Sequence, residues 1–183
     1  MTPIDRLLQG WRFEKARRFL PRGARVLDVG CGDGALFTQL SSRIASGVGV
    51  DEHPAAPDLG PAFSWVRGHF PGDVDVPPRS FDAVCAFAVL EHIPPQTQPA
   101  FARACFDALA PGGVLLLTTP APLVDPILDA LRFLRLIDGM ELEQHYGFEP
   151  ALTPGIFLPA GFKLRHQARF QLGLNHLFVF MRA

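Results

Sequence analysis

Short apolar runs alternate with amphipathic stretches along most of the chain. Leu7, Leu8, Trp11, Ala16, Phe19 and Leu20 recur near helical spacing and predict a helix over 3–20, stopped by Pro21 and Gly23. Residues 25–29 predict a short buried strand. From Gly34, ALFTQLSSRI predicts a helix ending near 42–46, and 48–50 a second strand ending at Asp51. HPAAPDLGPAF follows, and its three prolines exclude a full helix. Residues 63–66 predict a third strand, and GHFPGDVDVPPRS a long irregular loop. FDAVCAF (81–87) is a continuous apolar run, the mark of a strand buried on both faces. A helix is expected over 96–109, a strand over 114–118 and a mostly apolar helix over 123–137. A short helix is expected from Thr153 to AGF at 160–162. Residues 162–170 and 174–182 predict two strands joined through QLGLN as a hairpin.

Strand and helix alternate through residue 137, then two strands follow directly. The expected fold class is therefore α/β: a doubly wound, Rossmann-like, mostly parallel seven-stranded sheet with helices on both faces. It carries an antiparallel C-terminal hairpin and a shortened second crossover. At 183 residues with no internal repeat, one domain over 1–183 is expected.

Composition narrows the chemistry. Hydrophobic residues make 48% of the chain and charged residues 19%, a globular balance, and the net charge of −1 gives no general argument for nucleic acid. Basic residues do gather at the start: Arg6, Arg12, Lys15, Arg17, Arg18, Arg22 and Arg25 stand against Asp5 and Glu14. This reads as the solvated face of a helix, with lipid headgroups or an anionic substrate as the sharper alternatives. Cys31, Cys85 and Cys105 are odd in number and widely spaced, which argues against a disulfide framework or a zinc site and fits a reducing cytoplasm. The N-terminus lacks the uninterrupted apolar core of a signal peptide. The stretch 123–137 is broken by Asp125, Asp129, Arg132 and Arg135 and is not expected to span a membrane.

The densest motif is VLDVGCGDGAL at 26–36. Three glycines at alternate positions end an apolar run, which costs backbone entropy and implies a close approach of the chain to a ligand. GCGDGA matches GxGxxA, and Asp51 lies 21 residues after Gly30, where an acid that binds a ribose belongs. A nicotinamide dinucleotide and S-adenosylmethionine both fit this loop taken alone.

The ordered set of motifs is more specific. VLDVGCGDG, VGVDE (48–52), FDAVCAFAVLEHIP (81–94), LAPGGVLLLTTP (109–120) and AGF (160–162) together resemble the class I S-adenosylmethionine-dependent methyltransferases. The resemblance covers most of 25–120 and, more weakly, the last 40 residues. It implies S-adenosyl-L-methionine as cofactor. Asp28, Gly30, Cys31 and Gly32 would hold its amino-acid end, Asp51 its ribose hydroxyls, and Glu52 and His53 the border of the adenine. Phe87 and Ala88, with Val89, would line the methyl side. The family often carries Gly-Asp-Ala after the third strand, and its Asp binds the adenine amino group. Here Gly68-His69-Phe70 stands there, so His69 and Phe70 are the expected adenine contacts.

The motif set leaves the acceptor open. In-line displacement at a sulfonium needs alignment and, for a protonated nucleophile, a base. His145 and Tyr146 fall in the segment 121–150, where the resemblance places a substrate cover, and His92 follows Glu91 in LEHI. These three are the candidate catalytic residues. His166 and His176 fall on the hairpin and read as surface or packing residues. Related RNA 2′-O-methyltransferases bind magnesium through Glu-x-x-Glu-His; here Ala88 replaces the first Glu, so no metal is expected. The apolar face of 122–139 reads first as packing on the sheet, with a roof over an apolar substrate pocket or peripheral membrane contact as alternatives; its few polar recognition residues favour a small or lipid-like acceptor over nucleic acid. A non-catalytic cofactor-binding regulator and an RNA methyltransferase share the same cofactor motifs.

Overall fold

The computed structural model describes residues 3–121 and 148–183. The helix expected over 123–137, His145 and Tyr146 lie outside the described residues, as does most of the expected cover.

Seven strands form one sheet: β1 (Ala24–Val29), β2 (Ile44–Asp51), β3 (Phe63–Arg67), β4 (Phe81–Phe87), β5 (Leu109–Pro120), β6 (Phe162–Phe170) and β7 (Asn175–Arg182). Their spatial order is β3-β2-β1-β4-β5-β7-β6. The first five pair in parallel, and β7 runs antiparallel to both β5 and β6. Strand order reverses between β1 and β4, the position where open α/β sheets bind ligands beyond the carboxyl ends of their strands.

Alternation along the strands makes two cores, one on each face. Leu27, Val29, Val84, Ala86, Leu115, Leu117, Phe178 and Phe180 face one way. They meet Phe101, Ala102 and Cys105 of α3 (Gln98–Ala108) and Phe157 of α4 (Thr153–Phe157). Val26, Ala83, Cys85, Val114, Leu116, Leu177 and Val179 face the other way. They meet Phe13 and Ala16 of α1 (Pro3–Arg17) and Leu36 and Phe37 of α2 (Ala35–Gln39). Strands buried on both faces explain why FDAVCAF and VLLLT read as unbroken apolar runs. Arg182, itself buried, donates to the carbonyls of Phe106 and Leu109 and so fastens β7 to the C-terminal end of α3. Arg25 makes a two-oxygen contact with Asp82 that ties the start of β1 to β4.

Three element boundaries differ from expectation. α2 stops at Gln39 and β2 starts at Ile44, where a helix to 42–46 and a strand from 48 were expected. The side chain of Ile44 belongs to the second core, where burial in the sheet outweighs continuation of a helix through two serines of low helix propensity. β5 extends over LAPGG because Leu109 pairs with Phe81 before the register shifts. α1 ends at Arg17 and the turn to β1 begins there. The second crossover is helix-free, as its prolines require, and so is the third, over 68–80.

Glycines at 47 and 49 keep β2 close to aromatic rings. A Cβ on Gly49 would stand 2.6 Å from Trp65 and 2.8 Å from Cys31 Sγ, with no void to receive it. Gly49→Ala is therefore expected to cost about 1–3 kcal/mol of stability in urea unfolding, the range for overpacking a filled site.

Candidate active site

The glycine loop leaves the end of β1 and crosses the end of β2. The amides of Gly30 and Cys31 both donate to the Val50 carbonyl, at 2.8 and 3.2 Å. Gly30, Gly32 and Gly34 all take left-handed backbone angles, with φ of 74, 49 and 70°. Their reasons differ. A Cβ on Gly30 would meet Val89 at 2.5 Å, and one on Gly34 would meet Trp65 and Ala56 at 2.6 and 2.8 Å. A Cβ on Gly32 would meet nothing within 4 Å. Two of the three glycines make room for the protein itself, and Gly32 alone faces open space.

Asp51 braces this loop. Its Oδ2 accepts from the Gly32 amide at 2.9 Å and its Oδ1 from the His53 amide at 2.9 Å. A carboxylate has about four acceptor positions, so both oxygens keep capacity for hydroxyl donors. Gly32 in turn accepts from the Ala55 amide, which draws the Pro-rich second crossover against the loop. Asp33 accepts from the Ala35 amide at 3.2 Å, just before the short α2.

Asp28 is the third carboxylate here. It is 4% exposed, and burial, then the charges of Asp51 and Asp33, hold its carboxyl well above the usual carboxylate range. The Asp51 and Asp33 carboxylates at the glycine loop disfavour a pyrophosphate and favour a cationic ligand, a distinction the GxGxxA spacing does not carry. A raised native pKa means that the folded chain keeps a proton the unfolded chain has lost. Stability therefore falls as pH rises through that window. Asp28→Asn is expected to raise the thermal midpoint of the ligand-free chain at neutral pH, the gain vanishing below about pH 4.

The other expected contacts separate into two groups. Glu52, His53 and His69 are exposed at the ends of β2 and β3, with Glu52 Oε1 3.5 Å from His69 Nδ1. Phe70 is only 8% exposed, and its ring meets Phe101 edge-on at 6.1 Å, so it serves the core and offers little face to an adenine. The Cys31 thiol is buried and stands beside Gly49, its pKa pushed up to about 12 by burial and the nearby carboxylates; its backbone is what remains for a ligand. Phe87 packs its ring on Phe13 at 5.5 Å. Ala88 adopts φ 57° just past β4 while its amide donates to Thr118, a strained residue at the end of a central strand. His92 is exposed in a single 3₁₀ turn after it, beside the buried Glu91. No cluster of metal-ligating residues occurs among the described residues.

Two groups escaped sequence reasoning. Asp73 folds back on the end of β3: its Oδ2 accepts from the His69 amide at 2.9 Å, and its own amide donates to the His69 carbonyl. Asp73 thus places a carboxylate at the end of β3, four residues after position 69. At the end of β5, Thr119 and His176 are cross-strand partners. Both are buried, and Thr119 Oγ1 and His176 Nδ1 have no hydrogen-bond partner among the described residues. Burial and then Arg169 hold His176 below the usual imidazole pKa, so it is neutral at physiological pH.

A family model described as a methyltransferase domain matches residues 5–166. The chain belongs to the class I S-adenosylmethionine-dependent methyltransferases. A probable S-adenosylmethionine-dependent methyltransferase of Mycolicibacterium smegmatis is 33% identical to this methyltransferase over 158 residues, covering 76% of this chain and 57% of the relative. A ubiquinone biosynthesis O-methyltransferase of Psychrobacter arcticus is 33% identical over 154 residues, covering 76% and 59%. The methyltransferase thus spans under two-thirds of the length of these relatives. Among solved structures, a methyltransferase of Mesorhizobium loti matches with TM-score 0.70 at 17% identity, covering 96% of this chain and all of that one. The 1,6-didemethyltoxoflavin-N1-methyltransferase of Burkholderia thailandensis, solved with its substrate and S-adenosylhomocysteine, matches with TM-score 0.71 at 18% identity, covering 98% and 81%. These structures share the fold. No helix among the described residues is long and apolar enough to cross a membrane.

Proposed function

We propose that this methyltransferase moves the methyl group of S-adenosyl-L-methionine to a polar atom of a small organic or lipid-like acceptor. The observation that carries the reading is the Asp51 carboxylate on the amide of an open Gly32, with Asp33 and the buried Asp28 close by. The cofactor supplies a sulfonium-activated methyl and its leaving group. The chain supplies position. Asp51 accepts from the ribose hydroxyls, and Asp28 with the Gly30–Gly32 backbone favours the cationic amino-acid end. Asp73, with Glu52, His53 and His69 at its side, offers carboxylate and polar contacts to the adenine amine.

Phe87 and Ala88 line the methyl side. One and two strands away, Thr119 and His176 offer a hydroxyl and a neutral imidazole to a polar group of the acceptor. His92 stands as a further candidate for proton transfer, and His145 and Tyr146, expected beside the acceptor on sequence grounds, complete that group. The O-methyltransferases among the relatives support an oxygen as the methylated atom.

The test has two arms. Calorimetric titration should show binding of S-adenosylhomocysteine and none of NAD. Incubation of S-adenosylmethionine with a panel of phenols, catechols and hydroxylated quinones should release S-adenosylhomocysteine. Cofactor binding without turnover on any acceptor would point to a non-catalytic regulator, and salt-sensitive affinity for RNA would point to an RNA substrate.

A further inference from the structure

Leu172 is fully exposed at the tip of the β6–β7 connection. Gln171 and Leu172 both take left-handed backbone angles, φ 50 and 57°, in a turn closed by the Gly173 amide on the Phe170 carbonyl. Such a turn favours Asn and Gly, and water favours a polar tip. The chain meets neither preference at one position, and strain that a fold retains points to a use for it.

The turn is also fastened in place. Gln171 is buried, donates from Nε2 to the Leu8 carbonyl at 3.0 Å and accepts from Asn175 Nδ2 at 2.6 Å. Leu172 is therefore held rigidly beside the N-terminal half of α1. There Leu7 and Trp11, one helical turn apart, are 56% and 50% exposed, while Phe13 and Ala16 on the opposite side fill the core. Lys15 and Arg18 continue the same stripe. An open cavity of about 510 Å³ lies between helix and turn, lined by Trp11, Lys15, Arg18, Phe170, Gln171 and by Glu14, which lies 3.4 Å from Arg17.

Charge is polarised toward this rim. Residues 6–18 hold five basic residues and one acid, in a chain of net charge −1, and Arg169 adjoins the tip at the end of β6. The rim also sits at the active-site end of the sheet. Pro120, where β5 ends, pairs with Asn175, and Phe13 of α1 touches Phe87 of β4.

We infer that the rim formed by Leu7, Trp11 and Leu172, flanked by Lys15 and Arg18, docks on an anionic lipid bilayer. Apolar tips and an indole ringed by cations match the acyl boundary and the phosphate layer of such a surface, and each cation adds attraction within a Debye length. Docking this face would turn the carboxyl ends of β1, β4 and β5 toward the membrane. The inference stands apart from the acceptor's identity, because binding is measured without acceptor or cofactor.

Co-sedimentation of the full chain with phosphatidylcholine vesicles, with and without phosphatidylglycerol, tests it. Pelleting is expected with phosphatidylglycerol only and is expected to weaken at high salt. Leu172→Asp and the double variant Lys15→Glu, Arg18→Glu should each lower the partition coefficient at least about tenfold. Titration of each variant with S-adenosylhomocysteine should give the parent affinity, showing that the fold is intact. Absence of pelleting with anionic vesicles, or pelleting of Leu172→Asp equal to the parent, overturns the inference. So does a dimer in sedimentation velocity that Leu172→Asp abolishes, which would assign the rim to a second copy of the chain.

Discussion

Asp51→Ala is expected to weaken binding of S-adenosylhomocysteine by roughly 10- to 150-fold, about 1.5–3 kcal/mol, the range for hydrogen bonds to a charged group. Two losses combine. The ribose hydroxyls lose a charged acceptor, and the Gly32 and His53 amides lose the oxygens that hold the loop in shape. Asp51→Asn separates them: one amide oxygen can still receive the Gly32 amide, while the charge is gone. The intermediate variant should therefore bind better than Asp51→Ala and worse than the parent in calorimetric titration. Equal affinity in all three would remove Asp51 from the cofactor site.

Gly32→Val is expected to reduce cofactor affinity more than 100-fold, beyond what loss of one hydrogen bond explains. The left-handed backbone makes any β-carbon costly by about 1–2 kcal/mol in stability, yet a Cβ there would meet none of the described residues within 4 Å. They would stand where the ligand must lie. Gly30→Ala is the control, because its new methyl would collide with Val89. That variant should lose stability in urea unfolding more than Gly32→Val does. Reversal of this order, with Gly30→Ala stable and Gly32→Val still binding, would exchange the roles of the two glycines.

The middle of the sheet was legible because β1, β4 and β5 are buried on both faces and so read as apolar runs between turn residues. Asp51 and the loop were legible because their spacing is local: Gly30 and Asp51 end neighbouring parallel strands, Val29 opposite Val50. What escaped were features set by non-local packing. The early start of β2 depends on Ile44 meeting the second core, and nothing within SSRI reports that core. Phe70 resembles an adenine platform in sequence, but Phe101, thirty-one positions later, draws it inward. The pairing of Thr119 with His176 spans the hairpin, so a histidine that reads as packing in sequence stands buried opposite a hydroxyl. Asp73 was missed for a different reason: a turn shifts the acid from the expected position, and motif matching counts positions.

The placement of β7 between β5 and β6 bears on how the chain is made. Synthesis runs from the N-terminus, at about 5–20 residues per second. By residue 88 the ribosome has delivered β1 to β4, the glycine loop, Asp51, Asp73, Phe87 and Ala88, which is the whole proposed cofactor cradle. The inner row of β5, with Leu115 and Leu117, then waits for Phe178 and Phe180 to cover its far side. β6 is made before β7, the strand it pairs with among the described residues. A nascent chain therefore completes the strands of the proposed cradle early and holds a sticky central strand for tens of residues.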